Sequence, residues 1–314
     1  MGSKERTKDK KEKRRQEISL LRTIPYSDHQ RWWSVETVAV VTGANRGIGF
    51  EIVRQLAGHG VTVILTSREA SAGIEASSVL QELGLSVAFH QLDVLDDSSI
   101  KEFCEWVKEQ YGGIDILVNN AGVNFNLGSE NSVEFARMVV DTNYYAIKKV
   151  TKAMIPLIRP SQAGGRIVNV SSRLGRVNGK RNRIENEELR AKLNDLETLS
   201  EELIDGMMSK FLEQVEDGSW ESGGWPLTNT DYSVSKLGVN CYTRLLAKEM
   251  ADNRGEGEKI FVNCYCPGWV KTAMTGWAGT ISAEDGADTG VWLALLPDQA
   301  ITGKFFAERR EIGF

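Results

Sequence analysis

From Thr37 onward the chain alternates short β-branched apolar runs with stretches of helical period: TVAVVTG, VTVILTS, SVAFHQLD, IDILVNN, GRIVNVSS, KIFVNCYC and a late GKFFAE. Each run is too short for a helix and is apolar almost throughout, not at every second position. Strands of that kind are covered by helices on both faces, and strands separated by helices pair in parallel. The pattern predicts a doubly wound α/β fold with a parallel sheet of about seven strands.

Residues 34–314 contain no internal repeat and no linker, and read as one domain. Residues 1–33 differ: MGSKERTKDKKEKRRQ carries eight basic residues against three acidic ones, too polar to pack, and reads as a disordered tail. No apolar stretch follows its charges, its acids argue against a transit peptide, and Arg6 breaks the myristoylation pattern. KKEKRR reads as a solvated run, with a nuclear address as the other use of such a sequence. Arg31–Trp33 is the expected pin between tail and domain.

Composition excludes several classes of function. A net charge of −5, from 38 basic and 43 acidic residues, argues against a nucleic-acid partner. The longest apolar runs fall short of the roughly 18 residues that span a bilayer, so no membrane partner is expected. Cys104, Cys241, Cys264 and Cys266 form no paired framework, which fits a reducing, cytoplasmic compartment. His29, His59 and His90 have no metal-ligand spacing, and no metal is expected.

The first strand runs into VVTGANRGIGFEIVRQL, with Gly43, Gly47 and Gly49 between strand and helix. Glycine there opens the φ/ψ space of a tight turn and lets backbone approach a pyrophosphate at a helix N-terminus. The spacing is Thr-Gly-x-x-x-Gly-x-Gly, which differs from the general dinucleotide fingerprint but sits in the same strand-turn-helix context. The second strand ends in LTSRE, with no acid at its tip to accept from a ribose 2′-hydroxyl. Arg68, with Arg46 from the glycine loop, suits a 2′-phosphate instead, so NADP(H) is favoured over NAD(H).

Further on, TNTDYSVSKLGVN sets Tyr232 and Lys236 one helical turn apart. Such neighbours are common on any helix. An ammonium beside a phenol also favours the phenolate and makes a proton donor usable near neutral pH. The pair by itself leaves both readings open.

Taken together, the glycine loop, Asp93 in QLDV, NNAG at Asn119–Gly122, Asn143, Ser171–Ser172, YSVSK and CPGWVKT at Cys266–Thr272 resemble the short-chain dehydrogenase/reductase family. The resemblance covers nearly everything from Val38 onward and implies a Rossmann-type oxidoreductase. It implies Tyr232 as proton donor, Lys236 on the ribose hydroxyls, Ser172 on the substrate oxygen and Asn143 fixing a water that links Lys236 to solvent. Ser171 takes the place of Ser172 if the strand register is shifted by one. The cofactor contacts it implies fall on Gly43, Asn45, Arg46, Gly47, Ile48, Gly49, Arg68, Asp93, Val94, Asn120, Ala121, Gly122, Pro267, Gly268, Val270 and Thr272.

About sixty residues without a strand signal separate Ser172 from Tyr232. Residues 173–229 read as a helical insertion, with a capping box at Thr198–Glu201 and a stripe of Leu199, Leu203, Met207, Phe211 and Val215. This segment, GWP before the tyrosine and CPGWVKTAMTG resemble the carbonyl reductase branch, whose plant members include salutaridine reductase and menthone/neomenthol reductase. That resemblance implies a monomer, because the insertion covers the face on which other members associate.

Trp225, Trp269, Met274, Trp277, Met207 and Met208 are candidates either for an apolar substrate pocket or for core, and residues 124–132 for the opposite wall. The expected activity is NADPH-dependent reduction of a hydrophobic, terpenoid- or alkaloid-like ketone or aldehyde. An oxidative, NAD-linked alcohol dehydrogenase and a catalytically silent nucleotide-binding protein are the alternatives.

Overall fold

Runs rich in Val, Ile and Leu become the centre of the sheet. In the computed structural model, which describes residues 31–125, 132–180, 182–252, 255, 257–297, 301–314 and the isolated positions 13 and 16, four strands are buried along their whole length. These are β1 (Val38–Val41), β4 (Ile116–Asn119), β5 (Gly165–Val170) and β6 (Ile260–Tyr265). β2 (Thr62–Ser67) and β3 (Val87–Gln91) extend one side, and β7 (Phe305–Ala307) the other. The order is β3-β2-β1-β4-β5-β6-β7-β8, parallel from β3 to β7. The chain winds outward from β1 and then restarts at β4, so the crevice beyond the carboxyl ends of β1 and β4 is the switch point where such sheets bind ligands.

Alternate residues of β1 serve opposite layers, as a pleated strand requires. Val38 and Val40 join the core on the face that includes Phe103 and Phe211, while Ala39 and Val41 join the one built on Ile52 and Leu56. The covering helices are α1 (Gly47–Gly58), α2 (Ala70–Glu82), α3 (Asp97–Tyr111), α4 (Val133–Val140), α5 (Ala146–Met154), α6 (Glu187–Asn194), α7 (Glu201–Glu216), α8 (Thr230–Asp252) and α9 (Ala283–Leu295). A π-helical turn, Asp141–Tyr145, joins α4 to α5.

Beyond the seven parallel strands lies an eighth, β8 (Arg310–Ile312), antiparallel to β7. Glu308 and Arg309 form the hairpin, both at φ +55°. Side chains at that conformation cost energy that Gly or Asn would avoid. Arg309 compensates with hydrogen bonds to both carboxylate oxygens of Asp288, at 2.9 and 2.6 Å.

The insertion contributes α6 and α7. Its longer helix, α7, starts from Ser200, whose hydroxyl accepts from the Leu203 N–H at 3.2 Å, and not from Thr198. Thr198 instead closes the turn after α6 by donating to the Lys192 carbonyl at 2.9 Å. The apolar stripe is buried at Leu199, Met207, Phe211 and Val215, joined by Ile204 and Met208.

The tail read from the sequence lies outside the described residues up to Gln30, apart from the two isolated positions. Trp33 is buried and donates to the His59 carbonyl at 3.1 Å. Trp32 donates to the Leu295 carbonyl at 3.2 Å and lies 4.7 Å from the guanidinium of Arg166.

Candidate active site

Thr42 to Arg46 connect β1 to α1. Gly43 and Gly47 sit at φ +61° and +60°, a conformation that side chains other than glycine resist. A Cβ on Gly43 would meet Ala121 Cα at 2.9 Å, and one on Gly49 would meet Ala44 Cα and the Gly43 carbonyl oxygen at 2.8 Å. The loop is therefore packed from behind and offers bare backbone at the start of α1, with Asn45 half-buried and Arg46 exposed.

The NNAG segment latches this loop from β4. Asn120 donates from its amide to the carbonyls of Thr42 and Gly43 at 2.9 and 3.0 Å. The Thr42 hydroxyl accepts from the N–H groups of Asn120 and Ala121, both at 3.0 Å. Thr42 is a site residue that the sequence alone does not single out, although it opens the glycine motif. Asn119 turns the other way and donates to Thr151 and Asn169 at 2.8 Å inside the core.

At the end of β2, Thr66 and Ser67 are buried and Arg68 is exposed. Arg68 stands 3.6 Å from Glu69, an exposed pair of little strength. The Arg46 carbonyl accepts from the Phe50 N–H at 3.3 Å, and its guanidinium has no hydrogen bond or ion pair among the described residues. The strand ends at Ser67 and is followed by Arg68, with Glu69 the first carboxylate beyond it. Asp93 sits after β3, with Oδ1 accepting from the Leu95 N–H at 3.0 Å, and Val94 lines a narrow gap with Thr42 and Ala121.

The far side of the cleft follows β6. Pro267 leads into Gly268 at φ +88°, where a Cβ would strike Ile281. Val270 is buried, while Thr272 caps a short 3-10 turn and approaches the glycine loop: a Cβ on Gly47 would lie 3.4 Å from its methyl.

Ser172, Tyr232 and Lys236 converge beyond β5. Ser172 accepts from the Leu174 N–H at 3.1 Å and stands beside the Tyr232 phenol. Ser171 points away and donates to Asn240 at 2.6 Å, so it is Ser172 that meets the phenol. Lys236 donates to the Val170 carbonyl at 2.8 Å, with its ammonium 5.6 Å from the centre of the Tyr232 ring. Burial holds the lysine down, to about 8, with the nearby Cys266 sulfur acting in the opposite sense. Burial pushes the Tyr232 phenol above its ordinary value, the Cys266 sulfur adds to that, and the neighbouring Ser172 hydroxyl opposes it. The sequence predicts a phenol acidified by Lys236; desolvation outweighs that attraction in the protein alone.

Asn143 is fully buried in the π-helical turn. Its amide donates to the Val123 carbonyl at 2.9 Å and to Ser235 Oγ at 3.1 Å, and its oxygen accepts from the Val123 N–H at 2.8 Å. Both amide hydrogens are committed, so the side chain ties the β4 exit to the helix of Tyr232 and has none to donate to a water.

Of the candidate pocket residues, Trp225, Met207 and Met208 belong to the core, where Trp225 donates to Gln214 at 2.8 Å. Trp269, Met274 and Trp277 are exposed on the loop after β6, as is Leu227 ahead of Tyr232. Within the expected opposite wall, residues 126–131 lie outside the described residues.

A family model described as short chain dehydrogenase matches residues 37–183. The chain is 41% identical over 283 residues to carbonyl reductase (NADPH) 1 from Bos taurus, covering 89% of this chain and 99% of that protein. It is 41% identical over 297 residues to (+)-neomenthol dehydrogenase from Arabidopsis thaliana, covering 87% and 96%. The solved structure of salutaridine reductase from Papaver somniferum superposes with a TM-score of 0.77 at 36% identity, over 86% of this chain and 99% of that one.

Proposed function

The chain belongs to the short-chain dehydrogenase family, and from that premise we propose that it is an NADPH-dependent carbonyl reductase acting on a hydrophobic ketone or aldehyde. The observation that carries the reading is the Tyr232 phenol beside the Ser172 hydroxyl, with the Lys236 ammonium one helical turn away. The glycine loop, whose back is closed by Ala121 and Asn120, fits a dinucleotide pyrophosphate. Arg46 and Arg68 fit its 2′-phosphate, where an acid would repel it. The name of the bovine relative points to the same cofactor and reaction, and the names of the plant relatives to oxidoreductases.

Bound on that loop, reduced NADP supplies a hydride to the carbonyl carbon. Tyr232 delivers the proton. Burial keeps the phenol protonated at neutral pH, and the alkoxide that develops is a far stronger base than phenolate, so transfer to it is downhill. Ser172 donates a hydrogen bond to the same oxygen as charge builds. Lys236 spends one hydrogen on Val170 and has two left for ribose hydroxyls, while its charge steadies the phenolate left behind. Asn143 holds Val123 and Ser235 in place around this group.

The hydrophobic character of the substrate rests on the exposed Trp269, Met274 and Trp277. The inserted α7 packs on α4 and α8, which supports a monomer. No helix among the described residues is long and apolar enough to cross a membrane, and a cytoplasmic location is part of the proposal.

The test is NADPH oxidation against cyclic terpenoid ketones, quinones and simple aldehydes, with NADH in parallel. Turnover of bulky cyclic ketones with NADPH is expected. No NADPH consumption with any carbonyl contradicts the proposal.

A further inference from the structure

The π-helical turn that carries Asn143 is closed by the Ala146 N–H donating to the Asp141 carbonyl. Such a turn inserts a residue into an α-helix and is disfavoured unless its surroundings hold it. Both tyrosines that follow Asn143 reach the inserted helix α7. Tyr144 donates to Asp205 Oδ1 at 2.8 Å, and the Tyr145 phenol lies near Ser209. Lys148, one turn further, donates to Asp205 Oδ1 at 2.7 Å and stands 3.6 Å from Glu201. Lys152 binds Glu201 at 2.6 Å, so the charges around Asp205 are matched.

The same turn presses on the catalytic helix. A Cβ on Gly238, two residues beyond Lys236, would meet Tyr144 Cδ2 at 2.8 Å and would also strike Met208 of α7. Three elements, the turn, α7 and α8, are thus packed together at one glycine.

We propose that Asp205 is a positioning residue for the reductase site. It holds Tyr144 and Lys148, keeps the turn in its π register, and through Asn143 sets Val123 at the cofactor cleft and Ser235 beside Lys236. Without that anchor the turn relaxes toward an α register, in which Asn143 swings by roughly 100° and leaves Val123. The insertion is then part of the active-site scaffold as well as a cover for the helices it packs on. This inference rests on the reductase reading.

Asp205→Ala, Tyr144→Phe and the double variant test it, with Gln214→Ala as a control that removes the acceptor of Trp225 elsewhere on α7. Each single variant is expected to lose about 10- to 100-fold in kcat with little change in KM for NADPH. The double variant is expected to be no worse than the poorer single one. Gln214→Ala lowers Tm and keeps kcat. Amide exchange at Val123 speeds up in Asp205→Ala and not in the control. Losses that multiply in the double variant, a control that loses kcat equally, or unchanged Val123 exchange would overturn the proposal. If the unaltered chain reduces no carbonyl, the reductase reading fails, while Val123 exchange still decides whether Asp205 holds the turn.

Discussion

Lys236 and Ser172 are both fixed at the carboxyl end of β5: the lysine by its 2.8 Å bond to the Val170 carbonyl, the serine as the cap of the turn that follows the strand. One strand end therefore sets both partners of the Tyr232 phenol. Movement there displaces hydroxyl and ammonium together.

The lysine gives the first prediction. Burial lowers it to about 8, so in the folded protein its proton leaves as pH rises through that value, while the unfolded chain keeps it up to the ordinary 10.5. Between those values the unfolded state binds more protons, so this group's unfavourable contribution to stability is relieved as pH rises. NADPH affinity moves the other way, because the ribose contacts need the ammonium. Titration of NADPH between about pH 7 and 9 should show Kd rising, and Lys236→Arg should flatten the rise. A Kd independent of pH over that range contradicts the assignment.

In the proposed reading, cofactor choice follows from Arg68 after β2 and Arg46 on the glycine loop. Among the described residues the Arg68 guanidinium is paired only with its exposed neighbour Glu69, so it can turn to a phosphate at little cost. Arg68→Ala and Arg46→Ala should each weaken NADPH binding about tenfold or more, the equivalent of a charge-assisted hydrogen bond, and leave NADH nearly unchanged. Equal losses for both nucleotides refute the phosphate clamp.

Two glycines of α1 should respond oppositely. A methyl on Gly49 meets Ala44 and Gly43 backbone at 2.8 Å and strikes the Asn120 latch, so Gly49→Ala should cost about 1–3 kcal/mol and weaken NADPH binding. A methyl on Gly58 would meet nothing within 4 Å, and Gly58→Ala should stabilise by up to about 1 kcal/mol. Thermal unfolding with and without NADPH separates the two.

The parallel strands were legible because continuous apolar runs leave few alternatives, and the glycine loop because positive φ and tight packing exclude other residues at Gly43. β8 was not: REI carries two charges in three residues, and Glu308–Arg309 lacks the Gly or Asn that marks such hairpins. The π-helical turn at DTNYY also left no local mark, since it is held by Asp205, far away in sequence. Composition alone did not separate Trp225, which found a partner in Gln214 and a place in the core, from Trp277, which stays exposed.

The most direct measurement pairs NADPH binding with single-turnover carbonyl reduction in Tyr232→Phe, which removes one oxygen and keeps the ring. Loss of the proton donor predicts a near-native Kd and a rate reduced by about 10²- to 10⁴-fold. A rate close to that of the unaltered protein would contradict the account.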